Sequence, residues 1–241
     1  MSHMTRIVAV IPAFNEEKSI ANIILLTKRY VDHVIVCNDG SSDNTANIVS
    51  KLGVCLIHNS KRKGKGNALR TLFKEALKYD PEIIITIDAD GQHNPSDIPK
   101  LIKPLMSGES DIVVGSRFLD NSNTNISFIR SVGLRIINFL QKSLFHNQVK
   151  DSQSGFRAFS KKSFIVVTES DEEGYGIESE QLIIASKHMI STSEVPVKIK
   201  YIGLQNTSKK NFILHGFEIV QTLFKLFLKN VFSIAHKKKK K

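Results

Sequence analysis

The sequence has too little cysteine to build a disulfide framework. Cys37 and Cys55 stand alone in 241 residues, each inside an apolar run. Two such cysteines read as reduced core residues of an intracellular protein. No run of 18 apolar residues occurs, so nothing in the chain has the length to span a bilayer. No signal peptide is visible, and the opening "MSHM" reads as a cloning remnant. Internal repeats are absent. The only low-complexity segment is the lysine run Lys237 to Lys241. The length suits one large domain, or one domain with an appendage.

Charge is present and lopsided. Lys and Arg number 34 against 23 acidic residues, a net charge of +11. Such an excess points to a polyanion, a phosphate-bearing substrate or an anionic membrane face. A nucleic-acid module is the weaker reading, because the basic runs carry no interleaved aromatics and acidic loops would repel a phosphate backbone.

The first half alternates strands and helices. Arg6–Ile11, His33–Cys37, Val54–His58, Ile83–Ile87 and Ile112–Val114 are short apolar runs rich in β-branched residues. Between them lie the helical patterns Glu16–Tyr30, Asn44–Leu52, Asn67–Tyr79 and Ser96–Met106. This order predicts an α/β fold with a mostly parallel central sheet. Ligands of such sheets sit beyond the carboxyl ends of the strands. "PAFNEE", "NDGSSDNT", "NSKRKGKGN" and "DADGQHNP" follow the first four strands and should converge there. Further on, "DSQSGFRAFS" reads as a loop entering a strand. "GYGIESEQLIIASKHM" reads as a glycine turn and helix, and "STSEVPVKIKYIG" as an edge strand that tolerates Pro196. Phe212–Ala235 has helical periodicity. Glu218, Gln221, Thr222, Lys225 and Lys229 form a polar face, and Ile213, Phe217, Val220, Phe224, Phe227 and Val231 an apolar one.

Asp88 and Asp90 end the fourth strand one residue apart. Alternate side chains of an extended segment point to opposite sides, so both serve one ligand only where the chain bends. Gly91 supplies that bend. Two carboxylates with the Gln92 amide suit Mg2+ or Mn2+, which prefer oxygen donors and keep positions for phosphates. A calcium loop fails, because Gly91 falls at its fourth position and no glutamate closes twelve residues. Zinc would need a second His or Cys cluster beside His93. In "KRKGKGNAL", Gly64 and Gly66 precede a helix, so backbone N–H groups could face an anion. The loop is neither a P-loop nor a dinucleotide fingerprint: Asn67 follows Gly66, and Leu69 replaces the third glycine. Asp39 puts an acid at the tip of an apolar strand, where a ribose or base could bond it.

"IPAFNEE", "NDGSSDNT", "KGKGNAL", "DADGQH", "GSRF" and "QSGFR" occur in this order. Together they resemble the family 2 glycosyltransferases, and among them the polyprenyl-phosphate (dolichyl-phosphate) sugar synthases. The resemblance covers residues 7–210. It implies the Rossmann-like A-type glycosyltransferase fold, a divalent cation, Mg2+ or Mn2+, and an inverting transfer. By this resemblance Pro12, Ala13, Asn15 and Glu16 line the nucleotide, Asp39 meets the base or ribose, and Lys65 lies near the phosphates. Asp88, Asp90 and Gln92 form the metal site, and Arg117 of "GSRF" contacts a phosphate. Asp90, Arg117, Arg130 and Arg135 take the catalytic roles. Gly91 stands where many dolichyl-phosphate mannose synthases have leucine. The donor implied is GDP-mannose or a UDP-hexose. The domain division expected is a catalytic unit over 5–210, followed by an amphipathic helix and basic tail over 211–241.

The acceptor divides two readings. A sugar hydroxyl needs a general base, which Asp151, Glu178 or Glu180 could supply. Polyprenyl or dolichyl phosphate is already anionic and needs cations instead. Arg130 and Arg135 flank Gly133 in "RSVGLR", and Arg157 follows in "QSGFR". In the family resemblance the position of Arg130 or Arg135 holds the lipid phosphate, and Ser208 and Lys209 form a further "SK" element. A lipid-phosphate enzyme with no spanning segment must rest on the bilayer, here expected on the cytoplasmic face. Leu134–Phe145, Phe212–Phe232 and the lysine run have that interfacial character. A sugar nucleotidyltransferase is the competing enzyme class, but it would carry a glycine-rich loop where this chain has "PAFNEE".

Overall fold

The computed structural model describes residues 6–119, 128–145, 149–199 and 216–228, with side chains 133–143 within the second of these ranges. Among them, seven strands form one sheet in the order β3-β2-β1-β4-β6-β5-β7. These are β1 (Ile7–Ala13), β2 (His33–Asp39), β3 (Cys55–Asn59), β4 (Ile83–Thr86), β5 (Ile112–Ser116), β6 (Arg157–Ser160) and β7 (Thr192–Pro196). β1, β2, β3 and β4 run parallel. β6 is antiparallel to both β4 and β5, and β7 pairs parallel with β5 at the sheet edge. Pro196 thus lies in an edge strand, where its missing N–H breaks no ladder.

Period-2 side-chain alternation sends each central strand to two cores. Val8, Val10, Ile35 and Ile84 pack on one face under α3 (Lys65–Ala76), α6 (Lys161–Val167) and α7 (Ile177–Lys187). Ala9, Ile11, Val36 and Ile85 pack on the other under α1 (Ile20–Thr27), α2 (Thr45–Ser50) and α4 (Ile98–Met106). α3 buries Ala68, Leu69, Leu72, Phe73 and Ala76. These are spaced at i, i+1, i+4, i+5 and i+8, the stripe of a half-buried helix. α6 begins where the Ser160 hydroxyl accepts the Ser163 N–H. α1 starts later than periodicity suggests: residues 14–19 form a loop bonded to the next βα loop rather than a first turn.

α5 (Phe128–Phe145) and the helix over 216–228 lie together on α7 around Ile137, Ile183, Ile219 and Leu223. The C-terminal helix differs from expectation in which face it buries. Ile219, Thr222 and Leu223 are buried, whereas Phe217 and Phe224 remain 59% and 60% exposed. Periodicity finds the stripes, but a helix with apolar residues all round leaves the choice of face to its neighbours. The expected members Ile213, Lys229 and Val231 lie outside the described residues.

β6 opens on Arg157, which is fully buried. Its guanidinium donates to the carbonyls of Ser152, Ser154 and Glu178 and to Gln181 Oε1, at 2.8–3.2 Å. Burial pushes its pKa down to about 10, so it stays charged at neutral pH. Arg157 therefore pins the loop 151–156 to α7, and the expectation that it holds an acceptor phosphate is corrected: its donors are committed to protein oxygens. Arg157→Ala would strand those carbonyls and leave a cavity. We expect a loss of about 3 kcal/mol or more in unfolding free energy, read as a lower urea midpoint at unchanged m-value.

Candidate active site

The crevice lies beyond the carboxyl ends of β1, β2 and β4. The two leading loops are stitched together before any ligand arrives. Asn15, at φ 58°, accepts the Ser42 N–H at 2.8 Å and donates its own N–H to Ser41 Oγ at 2.9 Å. Glu16 N–H bonds Thr45 Oγ1 at 2.8 Å, and Asn44 N–H bonds Glu17 Oε2 at 3.0 Å. Pro12 is half-buried beside this seam and Ala13 is buried.

Asp39 is 4% exposed and answers a different need from the one expected. Its carboxylate accepts the N–H groups of Lys63 and Gly64 at 2.9 and 2.8 Å, and Asn59 Nδ2 at 2.9 Å. The glycine loop does form an anion nest, but the anion is the chain's own. Gly64, at φ 99°, and Gly66 are needed for a second reason. A Cβ there would lie 2.3 Å from the Glu173 carbonyl oxygen and 2.0 Å from that of Glu172, respectively. Gly66 N–H already donates to Glu173 O at 2.9 Å. Arg62, in the same loop, lies 4.3 Å over the Phe14 ring and closes this side of the crevice.

Between the two glycines, Lys65 turns inward. Its Nζ reaches Asp88 Oδ1 and Glu178 Oε1 at 2.6 Å each. Burial works against the ammonium, but the two carboxylates outweigh it and hold its pKa above the usual lysine range. Burial likewise opposes ionisation of Asp88, and Lys65, with smaller help from Arg117, keeps its carboxyl below the usual range. Gly155 makes room for this carboxylate, since a Cβ there would lie 2.4 Å from Asp88 Oδ2. Thr86 Oγ1 holds the Gly155 carbonyl at 2.8 Å.

After Asp88 the chain turns. Gly91 has φ 76°, and Asp90 Oδ1 accepts the Gln92 N–H at 2.9 Å. Gln92 is buried, and burial pushes the neighbouring His93 imidazole down to about 4, so it is neutral. Glu16 faces these acids. Burial first, then Asp90, Asp88 and Asp43, push its carboxyl up to about 8. Among the described residues, no cluster of three or more His, Cys, Asp or Glu could enclose a metal alone. The donor set nonetheless fits Mg2+ or Mn2+. Asp88 and Asp90 supply hard oxygens, their mutual repulsion with Glu16 marks negative charge that a cation would offset, and diphosphate oxygens could fill the remaining positions.

Arg117 and Asp151 form a buried pair. Arg117 donates its backbone N–H, Nε and Nη2 to the Asp151 carboxylate at 2.8, 2.7 and 2.5 Å. Glu194 on β7 in turn accepts the Lys150 and Asp151 N–H groups at 2.8 and 2.9 Å. Asp151, with no exposed surface, is thus the counter-ion of Arg117 and not a base for a hydroxyl. Glu180 accepts the Glu172 N–H at 2.7 Å and also serves the protein. Glu178 belongs to Lys65. Arg135 is exposed on α5; the Arg130 side chain, Ser208 and Lys209 lie outside the described residues. Sequence reasoning missed Gly155, Glu194 and Arg62. Only Gly155 carried a signal, a glycine just before a strand, which often marks a close approach.

The sheet order and a crevice built on paired acids and a half-buried lysine define an A-type glycosyltransferase fold. Among solved structures it resembles glucosyl-3-phosphoglycerate synthase of Mycobacterium tuberculosis, solved with uridine diphosphate, at TM-score 0.71 and 22% identity over 92% of this chain and 80% of that one. The glycosyl transferase family 2 model matches residues 8–168, and the chain belongs to that family. It is 38% identical to an uncharacterized protein of Methanocaldococcus jannaschii, covering 94% of this chain and 93% of the other. It is 36% identical to the UDP-N-acetylglucosamine–dolichyl-phosphate N-acetylglucosaminyltransferase of Methanococcus voltae, covering 90% and 94%. The protein is a glycosyltransferase.

The Glu16 environment yields a pH signature. Between the ordinary value of 4.5 and about 8, the unfolded chain ionises at Glu16 while the folded chain stays protonated. Stability contributed below pH 4.5 is therefore lost as pH rises to about 8. Glu16→Gln removes this loss. Its Tm should gain on wild type from pH 5 to 8 and then hold a constant difference. Added Mn2+ should shrink the difference. A Tm difference that is flat with pH would contradict this account of the acid cluster.

Proposed function

We propose that the protein transfers one sugar, with inversion, from a nucleotide-diphosphate donor to polyprenyl or dolichyl phosphate, in a metal-dependent reaction at a membrane surface. The observation that carries the reading is the convergence of Asp88, Asp90, Glu16 and Lys65 at the ends of parallel strands. Relatives support the acceptor class. Besides the Methanococcus enzyme, a dolichyl-phosphate β-glucosyltransferase of Trichomonas vaginalis is 30% identical over 78% of this chain and 64% of its own length. The Methanococcus name gives a UDP-linked N-acetylhexosamine as donor and the Trichomonas name a glucosyl group, which favours a UDP-linked sugar over GDP-mannose here.

In this reading Pro12, Ala13, Asn15 and Glu16 line the nucleotide, beside the Asp39 loop. Asp88 and Asp90, with Gln92, hold Mg2+ or Mn2+. Bound there, a divalent cation offsets charge on the departing diphosphate, a contribution of several kcal/mol as a rough figure. Lys65 sits where it adds a fixed positive charge to the same region, and its two carboxylate partners stop it from swinging out. Arg117, held by Asp151, adds positive charge near Asp88 from within the wall.

A phosphate acceptor arrives ionised and needs no base. That suits a crevice in which Asp151, Glu178 and Glu180 are all engaged by the protein. Arg130 and Arg135 on α5, with Ser208 and Lys209, would hold the lipid phosphate. The surface nearby suits a bilayer. Ile136 and Phe139 of α5 are 53% and 67% exposed, as are Phe217 and Phe224 of the C-terminal helix at similar levels. Arg135, Lys142 and Lys225 are exposed among them. No described helix is long and apolar enough to cross a membrane. Amphipathic helices lying in the interface fit these facts. The domain division follows: a catalytic unit over 5–210, and an interfacial helix and basic tail over 211–241.

Calorimetry with UDP-N-acetylglucosamine, UDP-glucose and GDP-mannose, each with Mn2+, tests the donor. Binding of none would sink the reading. For the acceptor, Arg130→Ala with Arg135→Ala should cut lipid-linked product at least about tenfold. Slow donor hydrolysis should persist. Unchanged transfer to polyprenyl phosphate would displace the acceptor site from α5.

A further inference from the structure

The acidic turn over residues 171–176 takes no ligand in the reading above, yet it touches two parts of the molecule at once. On one side it meets the C-terminal helix. Thr222 Oγ1 lies 3.1 Å from Glu172 Oε2, and 3.0 Å from Glu218 O of its own helix. Glu172 Oε1 accepts the Gly174 N–H at 2.9 Å, which fixes the carboxylate toward Thr222. Gly176 passes so close that a Cβ there would lie 2.5 Å from Thr222 Cγ2.

On its other side the turn meets the loop that carries Lys65. Glu173 O accepts the Gly66 N–H at 2.9 Å, and Arg70 of α3 donates to Glu172 O at 2.9 Å. The approach is backbone on backbone, as the side-chain-free Gly64 and Gly66 permit. No flexible side chain lies between the turn and these glycines to absorb a shift. A movement of the turn must carry the segment around Lys65 with it, or break both hydrogen bonds.

We propose that Thr222 and Glu172 are positioning residues for the transfer: the C-terminal helix, seated by Thr222 on Glu172 and Gly176, holds the 171–176 turn against Gly64 and Gly66 and so fixes Lys65 between Asp88 and Glu178. This rests on the reading of that crevice as the donor site. It makes donor handling depend on the seating of a helix whose opposite face is offered to a membrane. A helix displaced from its seat would leave the acidic turn loose and Lys65 misplaced.

Thr222→Val keeps the shape and removes the hydroxyl, while Thr222→Ser keeps the hydroxyl. With the full chain, Mn2+, UDP-N-acetylglucosamine and polyprenyl phosphate in vesicles, Thr222→Val should lose about tenfold in kcat/KM for the donor, since small misplacements near reacting groups are costly. Thr222→Ser should stay within about twofold of wild type. Amine labelling of Lys65, followed by mass spectrometry without substrate, should speed up about fivefold in Thr222→Val and return with Thr222→Ser. Unchanged Lys65 labelling in Thr222→Val overturns the proposal, whatever the activity. A fall in Tm at unchanged kcat and KM also overturns it, because that marks a purely structural contact. Should wild type bind no nucleotide sugar while labelling responds as expected, the donor-site reading fails and the clamp on Lys65 stands.

Discussion

The ion pair of one lysine with two carboxylates ties the site together. Lys65 comes from the start of α3, Asp88 from the end of β4 and Glu178 from the first turn of α7. An ammonium that is half-buried and partly stripped of water is tolerable only where its partners are fixed and close. Each partner is fixed by something else. Asp88 rests against Gly155, whose carbonyl is tied to Thr86. Glu178 lies on a helix whose backbone is gripped by Arg157. Lys65 is flanked by glycines pressed onto the acidic turn. The early and late halves of the chain thus meet at one cation. Removing Lys65 would leave the buried Glu178 carboxylate without its counter-charge, which matters more than the net strength of the pair.

Much of this was legible from residue types and order. Short β-branched runs alternating with helical patterns give the parallel strands, and acids at strand tips give the crevice. The bend at Gly91 could be read from spacing because the constraint on it is local. What escaped is where polar groups find their partners. "KGKG" promises backbone N–H groups facing an anion, but nothing in the string says that the anion is Asp39. "QSGFR" shows an arginine, and only the folded chain shows three carbonyls and an amide closing around it. Asp151 reads as a free acid until Arg117 is placed against it. Most of these contacts, such as Asp39 with Lys63, Arg157 with Glu178 and Arg117 with Asp151, join residues tens of positions apart, and local pattern carries no record of them.

The same limit explains the C-terminal helix. Apolar residues at 217, 219, 220, 223, 224, 226 and 227 satisfy more than one stripe. Burial of Ile219 and Leu223 against α5 and α7 decides which stripe is core. Thr222, polar by type, is buried because Glu172 gives its hydroxyl a partner. Phe217 and Phe224 are left outside together with Ile136 and Phe139 of α5.

That outward set bears on how an enzyme of this kind would meet a lipid-linked acceptor. α5 is fastened inward by two amides. Asn138 accepts from Ser152 N–H and Oγ at 3.1 and 2.6 Å, and Gln141 bonds Ser179 O at 3.3 Å. Gln153 Nε2 closes the set on Ser179 Oγ at 2.6 Å. α5 therefore grips the loop that holds Asp151 and Gly155, as the C-terminal helix grips the turn that holds Gly64 and Gly66. Two helices with exposed apolar faces are each one contact removed from a wall of the same crevice. Under the proposed function, a surface that orders both helices would order both walls, so that donor geometry is best where the acceptor resides. An arrangement with these helices packed elsewhere would leave the Asp88–Gly91 turn intact but Lys65 and its flanking glycines Gly64 and Gly66 unsupported.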